Sequence, residues 1–98
     1  MKTLIDVMDK LEENGYSVEY DEFITWLDIE SGNGYVSMKP TLSSDEYANE
    51  DVESFIIPDF ENASTNEMDI YLENYPKRET IQKPNATDLY NTIVEWLN

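Results

Sequence analysis

A chain of 98 residues with 22 acidic and 6 basic side chains carries a net charge of −16, and it contains no cysteine and no histidine. That length suits one domain, residues 1–98, with a modest core, and the composition excludes disulfides, thiolate nucleophiles, zinc–thiolate sites and histidine acid–base chemistry. A small domain more often carries a charge of roughly 2–8 in magnitude; the excess here repels nucleic acid and anionic lipid and favours a basic partner, although a salt-adapted host with acidic proteins throughout produces the same balance.

Thr3 followed by Asp6 has the spacing of a helix N-cap with an acidic partner three residues on. Leu4, Met8 and Leu11 recur at helical spacing, Ile5 widens the stripe, and Asn14-Gly15 supplies the stop. The acidic amphipathic start is not a signal peptide, and no run approaches the ~18 apolar residues of a membrane span. From Tyr16 the period falls to two. Tyr16, Val18 and Tyr20 alternate with Ser17, Glu19 and Asp21, the pattern of a half-buried strand. Phe23 to Glu30 reads as a second strand with apolar groups on both faces, Phe23, Thr25, Leu27 and Ile29 on one and Ile24, Trp26 and Asp28 on the other. Ser31-Gly32-Asn33-Gly34 closes a hairpin, with Asn33-Gly34 as the type I′ pair. Tyr35 to Lys39 returns as a third strand, limited by Pro40.

Between Thr41 and Pro58, Ser43 with Glu46 and the positions Ala48, Val52, Phe55 and Ile56 fit a helix from about 44 to 54, although Phe55-Ile56-Ile57 also fits a strand. Residues 59–67 read as an acidic loop. Met68, Ile70 and Leu72 alternate with Asp69, Tyr71 and Glu73, giving a fourth strand with an acidic outer face. Residues 75–84, bounded by Pro76 and Pro84, read as a connection whose Lys77, Arg78 and Lys83 relieve the local acidic excess. Asn85 or Thr87 then caps a last helix, with Asp88 in its first turn and Leu89, Ile93, Trp96 and Leu97 along one face. The expected architecture is α+β: an N-terminal helix, an antiparallel sheet of three to four strands built on the Asn33-Gly34 meander, and a C-terminal amphipathic helix.

Chemistry is sparse beside this charge. Asp28 and Glu30 share one strand face, and Asp69 and Glu73 flank Tyr71, yet carboxylate pairs arise by chance in so acidic a chain, and no motif supports acid–base or metal catalysis. The run beginning at Asp28 and Glu30 fails as a calcium loop, because Asn33 stands at its sixth position and Lys39 at its twelfth. No phosphate-binding glycine motif occurs. The expectation is therefore a non-enzymatic protein without metal or cofactor.

What remains is the charge itself. Lys39 is the only base between Leu11 and Tyr75. Carboxylates alternating along strands lie about 6–7 Å apart on one face, comparable to phosphates along a nucleic-acid strand. Glu19, Asp21, Asp28, Glu30, Asp45, Glu46, Glu50, Asp51, Asp69 and Glu73 are the candidate partner contacts, with Tyr47, Tyr71 and Tyr75 as aromatic anchors among them.

In size, charge, absence of cysteine and a helix–strand–strand–strand start over residues 1–39, the chain resembles the small acidic inhibitors encoded by phages and mobile elements. Anti-restriction proteins, uracil-DNA glycosylase inhibitors and some anti-CRISPR proteins belong to that class, and the start is similar to that of one anti-CRISPR inhibitor of a type II Cas nuclease. The likeness includes no diagnostic motif, so it assigns no functional residue. It implies a nucleic-acid mimic acting in the host cytoplasm on a basic nucleic-acid-binding protein such as a Cas or restriction nuclease. Such a protein binds no nucleic acid or membrane itself and is a monomer or weak dimer. Two other readings stand beside it: an immunity protein that neutralises a basic toxin nuclease, and an accessory acidic protein with no basic partner.

Overall fold

A computed structural model describes residues 1–21, 26–32, 34–42, 50–51 and 63–98, with the side chains of residues 20, 21, 42, 50 and 51 left aside. Helix α1, Leu4–Glu13, starts at the expected cap. Thr3 Oγ1 accepts from the Asp6 N–H at 3.2 Å, and Asp6 Oδ2 accepts from the Thr3 N–H at 3.1 Å and the Lys2 N–H at 3.0 Å. Its other end closes on Gly15, whose φ of +89° favours glycine; the Tyr16 N–H reaches back to the Leu11 carbonyl and the Gly15 N–H to that of Glu12.

Removing the Thr3 hydroxyl by Thr3→Ala is expected to cost about 1 kcal/mol, read from the urea midpoint at unchanged slope. The backbone N–H groups of Lys2 and Thr3 hold the Asp6 carboxyl below its ordinary 3.8. A depressed folded-state value contributes stability above the unfolded value and loses it as pH falls through the lowered one. The gap between wild type and Asp6→Asn should therefore be full at neutral pH and close below pH 3.8.

Five strands form one antiparallel sheet in the order β1 (Ser17–Asp21), β2 (Trp26–Ser31), β3 (Gly34–Leu42), β5 (Met68–Asn74) and β6 (Lys77–Gln82). A two-residue strand, β4 (Glu50–Asp51), pairs with the far end of β3. A 3₁₀ turn, Thr65–Glu67, precedes β5, and helix α2, Ala86–Leu97, ends the chain. Buried Leu4, Val7, Leu11, Leu89, Ile93 and Leu97 of the helices form one core with Leu27, Ile29, Val36, Met38, Ile70 and Leu72 of the strands. Both helices therefore cover the same side of the sheet. Asn85, rather than Thr87, caps α2 by accepting from the Asp88 N–H at 2.8 Å. Among the described residues no helix is long and apolar enough to cross a membrane.

Three expectations are corrected. Among the described residues the sheet has five principal strands besides the two-residue β4, not three to four, because residues 77–82 are strand rather than connection. That edge strand is exposed along almost its whole length, with only Ile81 packed on the core, so no apolar alternation marks it. Its ladder and the two-residue Tyr75-Pro76 turn (a cis peptide) make it. The expected Asn33-Gly34 pair is not the centre of the first hairpin turn, because Gly34 is already paired with Ser31 in the β2–β3 ladder; Asn33 lies outside the described residues. Gly15 is the only described glycine at positive φ, so Gly34 enters β3 as an ordinary strand residue, where an added Cβ would lie 3.8 Å from the Leu97 carbonyl oxygen. The backbone at Glu50–Asp51 is paired with β3, so the helix expected over about 44–54 does not pass through it. The remainder of that segment, the start of the second strand at residues 23–25 and residues 59–62 lie outside the described residues. Within the acidic loop expected at 59–67, Thr3 and Ser64 form a β-bridge, and buried Thr65 donates to the Pro84 carbonyl at 2.9 Å.

Candidate functional site: the outer face of the sheet

Side chains alternate across a strand, and directly paired residues share a face. The faces of all five strands therefore follow from the register. One row along the inner face reads Leu27–Met38–Leu72, all fully buried under the helices. The neighbouring outer row reads Glu19–Asp28–Ser37–Glu73–Arg78 across β1, β2, β3, β5 and β6. On one side of it lies the row Ser17–Glu30–Tyr35. On the other lie Lys39–Tyr71–Thr80 and then Thr41–Asp69–Gln82. Trp26 of β2 stands on this face too, edge-on to Tyr71 with ring centroids 5.6 Å apart.

Adjacent strands are about 4.8 Å apart and successive same-face residues about 6.7 Å apart. Glu19, Asp28, Glu30, Asp69 and Glu73 thus form a two-dimensional array on the side away from the helices, diluted only by Lys39 and Arg78 among the described charges. Glu19 and Glu30 are exposed; Asp28, Asp69 and Glu73 are half-buried. Two of these acids are fixed by neighbours. Ser37 Oγ donates to Asp28 Oδ1 at 2.8 Å, and Tyr71 Oη donates to Glu73 Oε2 at 2.8 Å. Held carboxylates lose less conformational freedom when a partner arrives.

The Tyr71 hydroxyl titrates above its usual 10.0, chiefly because its bond to Glu73 requires the phenolic proton. Partial desolvation and the Glu73 charge add to this, and Arg78 opposes it. Glu73→Ala is expected to return Tyr71 toward 10.0, followed by NMR titration of its ring carbons. An unmoved Tyr71 titration would show that the bond does not form in solution.

Of the expected contacts, the register gathers Glu19, Asp28, Glu30, Asp69, Tyr71 and Glu73 on this face, and it pairs Asp21 with Trp26. Glu50 and Asp51 belong to β4 at its margin. Tyr75 stands in the β5–β6 turn, 76 % exposed. Asp45, Glu46 and Tyr47 lie outside the described residues. Strand-by-strand reading does not single out Trp26, Tyr35, Ser37 or Arg78, since only pairing places them beside the acids. The basic residues of 77–83 divide: Arg78 pairs across with Glu73, while the Lys77 ammonium sits 4.2 Å from the Trp96 ring on the helical side.

No family model, curated protein or solved structure matches this chain. The outer face therefore has to be read from its own chemistry. Among the described residues no three acidic side chains converge as metal ligands do. The described carboxylates of this face are spread over β1, β2 and β5.

Proposed function

We propose that this protein is a non-enzymatic inhibitor that presents an acidic, nucleic-acid-mimicking surface to the DNA- or RNA-binding site of a host defence nuclease, such as a CRISPR–Cas or restriction enzyme, in the host cytoplasm. The observation that carries the reading is the outer row Glu19–Asp28–Glu73, with Glu30 and Asp69 in the rows beside it, on the sheet face opposite both helices. An array with phosphate-like spacing meets Lys and Arg side chains that otherwise hold a nucleic-acid backbone. The net charge of −16 steers such a partner inward and makes association fall with salt.

The test is capture of partners from a bacterial lysate on the immobilised protein, eluted in parallel by a salt gradient and by duplex DNA or structured RNA. One nuclease retained and released by nucleic acid at a salt concentration that does not itself elute it supports mimicry. A captured toxin nuclease would assign the protein as an immunity protein instead. Retention of only a diffuse basic set, matched by any acidic control protein, would sink the proposal.

A further inference from the structure

Apart from Met1, the exposed large apolar side chains among the described residues are Tyr35, 46 % exposed, and Tyr75, 76 % exposed. They are distant in sequence, but the pairing of β3 with β5 matches Ser37 to Glu73. Tyr35 is the second residue of β3 and Tyr75 directly follows β5, and the two strands run antiparallel, so both tyrosines lie at one end of the sheet. Each has a carboxylate next to it: Glu30 is the direct β2 partner of Tyr35, and Glu73 lies two residues from Tyr75. On the neighbouring β6, Arg78 lies opposite Glu73, and Lys77 pairs with Asn74 and is engaged with the Trp96 ring. Neither tyrosine belongs to the core.

We infer that Tyr35 and Tyr75 are the aromatic anchors of the acidic face, and that they receive arginine guanidinium groups of the partner rather than lysine ammonium groups. The inference rests on the proposed acidic docking face and specifies what that face meets. A guanidinium stacks flat on a phenol ring while its N–H fork reaches a neighbouring carboxylate, an arrangement that a compact, strongly hydrated ammonium reproduces poorly. Ring and carboxylate side by side therefore select arginine, whereas carboxylates alone attract both bases almost equally. Charge complementarity makes the occupant a basic surface, and the two rings make it an arginine-bearing one.

The experiment titrates the full chain, at physiological salt, with oligo-arginine and oligo-lysine peptides of equal length. The wild type is expected to bind the arginine peptide more tightly, by about two- to fivefold for each ring engaged. Tyr35→Ala/Tyr75→Ala should abolish that preference and leave the lysine peptide's affinity unchanged. Tyr35→Phe/Tyr75→Phe, which keeps both rings, should retain it. Equal binding of the two peptides by the wild type, a preference that survives the alanine pair, a preference lost in the phenylalanine pair, or equal loss of both peptides on alanine substitution would each overturn the tyrosine assignment and leave the acidic face standing. Failure of both peptides to bind would remove the acidic docking face itself, and this inference with it. Both residues are exposed, so the variants are expected to fold as the wild type does.

Discussion

Replacing Glu19, Asp28, Glu30 and Glu73 together by their amides is expected to weaken binding to the proposed basic target about 100-fold or more. The matched control neutralises Asp9, Glu12, Glu13 and Glu95, all exposed on the two helices, and should weaken it less than about tenfold. Each variant removes four charges, taking −16 to −12, so their long-range fields are nearly alike. They differ in place. The described fold is 23 Å across its thinnest axis, whereas the screening length at physiological salt is about 8 Å. Helix-side acids are therefore largely hidden from a partner docked on the sheet, while the four sheet acids would face its bases directly. Affinities measured at two salt concentrations separate the terms, because the sheet variant should also show a shallower salt dependence. Equal losses in the two variants would mean that net charge alone matters and that no face is privileged.

The second large effect concerns stability. Leu72→Ala is expected to cost about 2–5 kcal/mol, against a total of about 5–15 kcal/mol for an ordinary domain. Leu72 is fully buried in β5 and pairs with Met38, beneath the helices. Self-repulsion among the acids narrows the margin further at low ionic strength, so this variant should be largely unfolded in dilute buffer and regain structure as salt rises. Far-UV circular dichroism and urea midpoints at low and high sodium chloride test this. The volume-conserving Leu72→Met, at under about 1.5 kcal/mol, should stay folded throughout. If Leu72→Ala were insensitive to salt, the acidic surface would not be drawing on the stability of the fold.

Much of this architecture is legible in the residue order, because local physics dominates at the helix caps and along the half-buried strands. Thr3 with Asp6 closes its capping box within four residues, Asn14-Gly15 ends α1, and Asn85 caps α2, all without help from the rest of the chain. Val18, Leu27, Ile29, Met68, Ile70 and Leu72 alternate with polar residues because one side of the sheet is buried, and burial leaves a period in sequence. The net charge of −16, and with it the expectation of a basic partner, is a property of composition alone.

Tertiary structure decided the rest. Strand β6 is held by its ladder to β5 and exposes nearly every side chain, so no apolar alternation in 77–82 announces it. Gly34 belongs to the β2–β3 ladder opposite Ser31 rather than to the centre of the turn, a register that dipeptide preference does not resolve. Above all, alternation says that Glu19, Asp28 and Glu73 each point away from the core, but only the register places them in one row and brings Tyr35 to the same end as Tyr75. Periodicity within a strand is a local consequence of burial. Neighbourhood between strands is set by long-range pairing, which no single segment encodes.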